Sequence, residues 1–168
     1  MKIGILSDTH NNPDNTRTAL ATFRERGIQR LIHCGDITTP PIVRLFTGWD
    51  VVFVYGNMDS DWVALMQAIR AIGAPRPQLS LEVEVGDMLI GVTHGADSNL
   101  LFRLQISGKY AYVCHGHTHQ RRNEFRSAYG VRVINPGALG GNRPETRSVC
   151  ILDTASGNVE FIEFPDLR

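Results

Sequence analysis

The amino-acid sequence predicts an α/β fold, and two observations support this prediction. Apolar strands alternate with helical segments over residues 2–55, which is the pattern of a parallel sheet covered by helices. From residue 110 onward, short strands follow one another with turns between them. We therefore expect one α/β domain over residues 1–168, in which the later strands add a second sheet or extend the first.

The first part of the chain shows its elements clearly. The apolar run 2–7 is typical of a strand buried on both faces. Asn12 and Pro13 form an N-cap and a first helical position, and Gly27 ends the helix that they begin. Two more buried strands and a short helix between them are predicted at 30–34, 51–55 and 41–46.

The second part is predicted to contain more strand than helix. A helix over 62–72 is ended by Gly73 and Pro75, and Gly86-Asp87 indicates a hairpin between strands at 79–85 and 88–93. A helix at 99–106 and a strand at 110–114 follow. Two further hairpins pair 122–128 with 131–134 and 149–153 with 158–164.

The overall composition argues against several classes of protein. Seventeen basic residues balance seventeen acidic ones, so no nucleic-acid-binding surface is evident. No apolar run approaches the roughly 18 residues of a membrane span, and no signal peptide precedes the first strand. Cys34, Cys114 and Cys150 lie in apolar runs, as expected of buried, reduced thiols in a cytoplasmic protein.

Side chains that can bind metal recur where predicted strands end. Ligands bind beyond the carboxyl ends of strands in open α/β sheets, so these loops could converge on one crevice. Taken alone, each motif also has a plain explanation, such as a capped turn or a surface histidine. These explanations do not account for the fact that all the motifs lie at strand ends. The residues are Asp8, His10, Asp36, Asn57, His94, His117 and His119.

Seven oxygen and nitrogen ligands, with one carboxylate able to bridge, suit two divalent cations better than one. Imidazole and carboxylate together favour Mn, with Fe, Zn or Ni as alternatives, over Ca or Mg. Two such ions clamp a phosphoryl group and lower the pKa of a water bridging them. The pattern therefore indicates hydrolysis of a phosphate ester.

The series Asp-x-His, Gly-Asp, Gly-Asn-x-Asp, His and Gly-His-x-His resembles the calcineurin-like metallophosphoesterases. The chain is short and contains Asn135-Pro136-Gly137, and in both respects it is similar to the small bacterial and archaeal phosphodiesterases of this family. The resemblance implies a four-layer αββα sandwich of two mixed sheets flanked by helices. It also implies that one metal is held by Asp8, His10 and His119, the other by Asn57, His94 and His117, and that Asp36 bridges them.

Two positions outside this set bear on activity. Larger relatives carry a histidine after the asparagine, and Met58 at that position cannot protonate a leaving group. Arg143 stands where relatives often have Pro-Arg, and its guanidinium could clamp a phosphate. Most of the other arginines between 121 and 147 are expected on solvated hairpin faces. His33 and His115 are expected to be structural rather than ligands.

The sequence thus predicts a metal-dependent phosphodiesterase that acts on a small phosphodiester, with Asp36 and Asn57 as catalytic residues and a bridging hydroxide as nucleophile. Asn57 and Arg143 are the expected substrate contacts. Two alternatives stay open: a phosphomonoesterase or nucleotide hydrolase that uses the same site, and a protein-binding scaffold similar to the phosphoesterase-like subunit of retromer. A homo-oligomer is also possible.

Overall fold

The computed structural model describes residues 1–167. Ten strands and four helices follow one another along these residues. They are β1 (Lys2–Leu6), α1 (Pro13–Glu25), β2 (Arg30–His33), α2 (Pro40–Arg44), β3 (Asp50–Phe53), α3 (Trp62–Ala71), β4 (Ser80–Val85), β5 (Met88–Thr93), α4 (Ser98–Ile106), β6 (Tyr112–Cys114), β7 (Arg122–Arg126), β8 (Val131–Asn135), β9 (Arg147–Asp153) and β10 (Asn158–Phe164). The predicted elements are all present, with bounds that differ by a few residues at most.

The first sheet has the strand order β10-β9-β1-β2-β3. Strands β1, β2 and β3 run parallel, with Leu6 paired to His33 and His33 to Phe53 near their carboxyl ends. Strand β9 runs antiparallel to β1, and β10 is antiparallel to β9. The sheet is therefore mixed, and the last two strands extend the sheet that the first three begin.

The second sheet has the strand order β4-β5-β6-β8-β7. Its centre is parallel, from β5 to β6 and from β6 to β8, and its two edges are antiparallel hairpins. The predicted turn at Gly86-Asp87 is confirmed, because Val85 pairs with Met88 across it. The later strands thus do both things that the sequence left open: some extend the first sheet and others form a second one.

Three groups of buried side chains separate the layers. One lies between the first sheet and helices α1 to α3 and includes Phe23 and Phe53. The second lies between the two sheets and contains Ile5, Ile90 and the three cysteines. The third packs α4 against the second sheet. This order confirms the predicted sandwich of two mixed sheets flanked by helices.

Helix α1 shows how local sequence sets one of these layers. The side chain of Asn12 accepts a hydrogen bond from the Asn15 amide at 3.0 Å, and Pro13 occupies the first turn. Ala19, Leu20 and Phe23 form its buried face, and Gly27 ends it with a φ of 69°. No helix within residues 1–167 is long and apolar enough to cross a membrane.

Candidate metal centre

The predicted ligand residues lie in loops that follow β1, β2, β3, β5 and β6, and these loops meet at one edge of the two sheets. Asp8, His10 and His119 form what we call the inner half of the site. Asp8 Oδ1 lies 3.2 Å from His119 Nε2 and 3.6 Å from His10 Nε2, and the two imidazole Nε2 atoms are 3.1 Å apart. Three potential ligand atoms therefore converge on one point.

Asn57, His94 and His117 form the outer half. His94 Nε2 lies 3.1 Å from Asn57 Oδ1, whereas the His117 ring is placed with its centroid 5.2 Å from that of His94. His94 is buried, Asn57 is exposed and His117 is half-buried. The outer half is therefore more open to solvent and less closely drawn together than the inner half.

Asp36 lies between the two halves. Its Oδ2 atom is 3.6 Å from His10 Nε2 and 3.4 Å from His94 Nε2, and its Oδ1 atom accepts a hydrogen bond from the Met58 amide at 2.8 Å. Asp36 and Asp8 also form a second group of potential ligand atoms with His94. The carboxylate of Asp36 thus faces one histidine from each half, which is the placement that a bridging ligand needs.

The backbone of these loops is held in an unfavourable conformation. Every non-glycine residue with a positive φ within residues 1–167 lies in them, and five of the seven are predicted ligands. Such conformations cost about 1–3 kcal/mol each and persist only where the surrounding structure imposes them. Their confinement to these loops indicates a functional site. The seven residues are Asp8, His10, Asn11, Asp36, Thr38, His117 and His119.

Two glycines allow the loops to approach so closely. A Cβ atom on Gly56 would lie 2.0 Å from Asp36 Oδ1, and one on Gly116 would lie 1.9 Å from Ser7 Oγ and 2.5 Å from Asp8 Oδ2. Any side chain at either position would push a predicted carboxylate ligand out of place. The glycines of the Gly-Asn and Gly-His motifs are therefore required by packing.

The charges at the site favour ionised carboxylates. Burial by itself would raise the pKa of Asp8, but the neighbouring His10 and His119 lower it well below its usual range. Burial also opposes ionisation of Asp36, but the contact with His94 lowers the pKa of this carboxyl. Burial would lower the pKa of His94, yet Asp36 and Asp8 outweigh it and raise that pKa. Burial lowers the pKa of His117.

The donor set fits a divalent cation. Asp8 Oδ1 and His119 Nδ1 are buried without a well-formed hydrogen-bond partner, and two imidazole nitrogens face each other at 3.1 Å. His94 Nδ1 donates a hydrogen bond to the Cys34 carbonyl at 2.8 Å, which leaves Nε2 of the neutral ring as an acceptor. Carboxylate and imidazole atoms gathered in this way suit a transition metal.

Three residues that support the site were not predicted from the sequence to be functional. The buried carboxylate of Asp59 accepts hydrogen bonds from the amides of Asp36, Thr38 and Gly56, and so joins the loops after β2 and β3. The side chain of Asn135 donates to the Gly116 carbonyl and to Thr118 Oγ1. Both belong to motifs noted in the sequence, Gly-Asn-x-Asp and Asn-Pro-Gly. These motifs could have identified the two residues.

The third supporting residue is Arg147, which the sequence analysis grouped with arginines on solvated hairpin faces. It is instead buried, and its guanidinium donates hydrogen bonds to the carbonyls of Gly140 and Gly141 at 3.0 and 2.7 Å. Gly140 in turn donates its amide to the Asp8 carbonyl. Arg147 therefore fixes the loop that covers the inner half, and no local signal distinguished it from its neighbours.

The two other histidines lie in the core. His33 Nδ1 accepts a hydrogen bond from the Gly35 amide, and its ring contacts Thr9 Oγ1 at 3.2 Å. Burial lowers the pKa of His33 to about 3 and that of His115 to about 4, so both rings are neutral. Neither belongs to a group of converging ligand atoms among the described residues.

A cleft of about 460 Å³ opens over the site. Met58 and Arg143 line it together with residues of both halves. Arg143 is exposed, and its Nη1 atom donates a hydrogen bond to the Thr118 carbonyl at 3.0 Å. Met58 is 54% exposed, so the position that carries a histidine in larger relatives here presents an apolar side chain.

The sequence and the fold of the chain are similar to those of known proteins. The model of the calcineurin-like phosphoesterase superfamily domain matches residues 1–157. A phosphodiesterase of Methanocaldococcus jannaschii is 34% identical over 157 residues, which are 92% of this chain and 93% of that protein. The structure of an archaeal phosphodiesterase has a TM-score of 0.90 at 32% identity and covers 98% of this chain and 100% of its own.

A more distant structure shares the fold alone. A single-residue variant of Vps29 from Entamoeba histolytica has a TM-score of 0.67 at 20% identity, with 98% of this chain and 99% of its own covered. The family model and the archaeal relative both extend over the strands and loops that carry the predicted ligands. The chain therefore belongs to the calcineurin-like phosphoesterase superfamily.

Proposed function

We propose that the chain is a metal-dependent phosphodiesterase with a dinuclear centre. The observation that carries this proposal is the convergence of Asp8, His10 and His119 on one point, with the Asp36 carboxylate between His10 and His94. The name of the archaeal relative, a phosphodiesterase, supports the choice of a diester as substrate.

In the proposed centre the inner half, Asp8, His10 and His119, holds one ion. The outer half, Asn57, His94 and His117, holds the other. Asp36 bridges the two because its Oδ2 atom lies 3.4–3.6 Å from one histidine of each half. The glycines that bring Asp36 and Asp8 close to the neighbouring loops support this assignment.

Two bound divalent ions would neutralise charge on the phosphate and lower the pKa of a shared water, so that it attacks phosphorus as hydroxide. The side chains do the rest. Asn57 and Arg143 both line the cleft, and in this proposal they donate hydrogen bonds to phosphate oxygens. Met58 supplies no proton, so the leaving alcohol takes its proton from water or departs as an anion.

Mn²⁺ is the proposed metal, with Fe, Zn or Ni as alternatives, because imidazole and carboxylate ligands suit these ions. Cysteine does not contribute to the group of ligand atoms in the described chain. The three thiols, Cys34, Cys114 and Cys150, are buried and unpaired, which supports a reducing compartment such as the cytoplasm.

Metal removal and return test this function. Hydrolysis of bis(p-nitrophenyl) phosphate should vanish in excess chelator and return on addition of Mn²⁺, because the proposed nucleophile is a hydroxide that depends on the bound ions. The measurement is the release of nitrophenolate, together with elemental analysis of the protein. Full activity in protein shown to be free of metal would disprove the proposal.

A further inference from the structure

A groove leads away from the outer half of the site. Its first part, of about 350 Å³, is lined by Asn57 and His94 and also by Tyr55, Trp62 and Leu79. The last three residues line a second part of about 630 Å³ as well. We call these two parts together the Trp62 groove. It is the size of a small-molecule site, and it shares a wall with the proposed metal centre.

Trp62 presents a flat ring in this groove. Its indole stacks on Tyr55 with ring centroids 4.8 Å apart and an angle of 7° between the planes. Tyr55 is buried, whereas Trp62 is 49% exposed. One face of the indole is thus covered by the tyrosine, and the other is available to a second planar ring.

The stacked pair of Trp62 and Tyr55, which we call the Trp62 shelf, is held in place by hydrogen bonds. The Tyr55 hydroxyl donates a hydrogen bond to the Trp62 carbonyl at 3.3 Å, and the Tyr55 amide donates to the Gln78 carbonyl at 2.9 Å. Trp62 is the first residue of α3, whose N-cap Asp61 accepts a hydrogen bond from Ala64. A ring that binds here therefore meets a preformed surface and loses little energy to reorganisation.

Exposed apolar side chains are concentrated along this path. Residues 1–167 expose nine large hydrophobic side chains, and four of them line the metal cleft or the Trp62 groove. Those four are Met58, Trp62, Val63 and Leu79. Exposed apolar side chains that line a groove beside a polar cleft are typical of a place where a substrate lies.

The far end of the groove carries hydrogen-bonding groups. Arg76 and Gln78 line it and are exposed, and Arg76 forms no ion pair with any residue of the described chain. The Arg76 guanidinium is close enough to influence the pKa of Tyr55, so it lies near the shelf. A flat stacking surface with an arginine and a glutamine beyond it matches a ring whose edge carries carbonyl and amine groups.

We infer that the Trp62 groove binds the nucleobase of a nucleotide diester, which stacks on Trp62 while its phosphate lies in the metal cleft. This inference rests on the proposed function and names its substrate class. The base belongs to the part of the substrate that does not leave, and the hydroxide forms the new P–O bond as the bond to the leaving alcohol breaks. Binding energy from the remote base would then aid positioning of the phosphate.

The first test compares two diesters with the same leaving group, thymidine 5′-(p-nitrophenyl phosphate) and methyl p-nitrophenyl phosphate. Trp62→Ala should lower the ratio of their kcat/KM values by about 10-fold or more, since stacking of one base is worth roughly one to two powers of ten in affinity. Trp62→Phe should retain most of the ratio. Phe102→Ala, an equally exposed aromatic residue on α4, should leave it unchanged.

The second test does not depend on turnover. The chain has two tryptophans, so Trp49→Phe leaves Trp62 as the sole indole fluorophore. With Zn²⁺-loaded protein, thymidine 5′-monophosphate should quench this fluorescence, and inorganic phosphate should not. Quenching by thymidine 5′-monophosphate in metal-loaded protein that hydrolyses neither diester of the first test would support the groove and contradict the proposed phosphodiesterase activity.

Either of the following results would overturn the inference. The first is a ratio of kcat/KM values that Trp62→Ala does not change; where both diesters lose activity equally, Trp62 only supports the fold of the site. The second is a phenyl diester that is preferred over the thymidine diester and loses its advantage in Trp62→Ala, which would assign the groove to a simple aryl group.

Discussion

The inner and outer halves of the site are built differently. In the inner half Asp8 is 0% and His119 is 7% exposed, and their ligand atoms already lie 3.2 Å apart. In the outer half Asn57 is exposed and His117 lies beside His94 without joining its group of ligand atoms. The inner half is set by the strands that carry it, whereas the outer half needs side chains to adjust.

This difference has an energetic meaning. A preorganised site loses little conformational freedom when it binds, and a looser one gives up part of its binding energy to order its side chains. We therefore expect the inner half to bind its ion more tightly than the outer half. The outer half is also the one that borders the Trp62 groove, so the ion that we expect to bind more weakly would lie nearer to the proposed substrate.

The largest effect is expected at Asp36, which serves both halves. Asp36→Asn should lower hydrolysis of a nitrophenyl diester by on the order of 10³-fold, because loss of the bridging charge removes several kcal/mol of stabilisation. Metal content should fall at both halves, while circular dichroism shows an intact fold. The matched control is Asp87→Asn in the exposed β4–β5 turn. Two bound metals and a near-native rate would show that Asp36 is no bridge.

The next largest effect is a contrast between two histidines of one motif. His119→Asn should weaken the tighter Mn²⁺ site by about 100-fold, and His117→Asn should weaken only the other site, by about 10-fold, the two ends of the range usual for loss of a residue that supports a metal site. Calorimetric titration of both variants with Mn²⁺ measures the two affinities. Equal losses in the two variants would remove the distinction between the halves.

A smaller effect concerns pH. Asp36 and Asp8 raise the pKa of His94 above its ordinary value, so protonated His94 stabilises the metal-free fold. This contribution is fully present below about pH 6.5 and is lost as the pH rises through the folded-state pKa. Metal binding requires the neutral ring. The increase in Tm on adding Mn²⁺ should therefore grow between about pH 6 and pH 8.

Calorimetry at several pH values checks this expectation. The carboxyls of Asp8 and Asp36 do not interfere, because their lowered pKa values keep them ionised over this range. Burial lowers the pKa of His117, which is the opposite direction to that of His94. A metal-induced shift in Tm that is the same at both ends of the range would contradict the coupling between His94 and Asp36.

An effect that differs from one substrate to another is expected at Met58, at the open side of the outer half. Without a positioned acid, the rate should depend steeply on the pKa of the leaving alcohol, since general acid catalysis is worth about 10²–10⁴-fold and matters most for basic alkoxides. Met58→His should therefore help alkyl diesters more than nitrophenyl diesters. Rates for a series of leaving groups measure both slopes, and a shallow slope in the wild type would reveal another proton donor.

Much of the fold could be predicted because apolar runs and turn residues report local structure directly. The N-cap at Asn12 and the turn at Gly86-Asp87 are examples, and both are confirmed. The site residues were found because each follows a strand, and the structure brings them to one edge; their roles as metal ligands stay a prediction. The four layers came from the family resemblance rather than from the residue pattern.

The rest depends on contacts between distant parts of the chain. Nothing near Arg147 indicates that its guanidinium turns inward to the carbonyls of Gly140 and Gly141. Similarly, the role of Asp59 depends on amides in a loop about 20 residues earlier. The asymmetry of the two halves follows from how the two sheets pack, which one sequence does not reveal.

The position of β1 has a consequence for synthesis of the chain. This strand pairs with β2 on one side and with β9 on the other, and its end leads to Asp8 and His10. One neighbour begins at Arg30 and is translated soon after β1, whereas the other begins only at Arg147 and is translated much later. The inner half also needs His119. We therefore expect the nascent chain to hold no metal at this site, so that the finished fold, rather than the growing polypeptide, selects the ion.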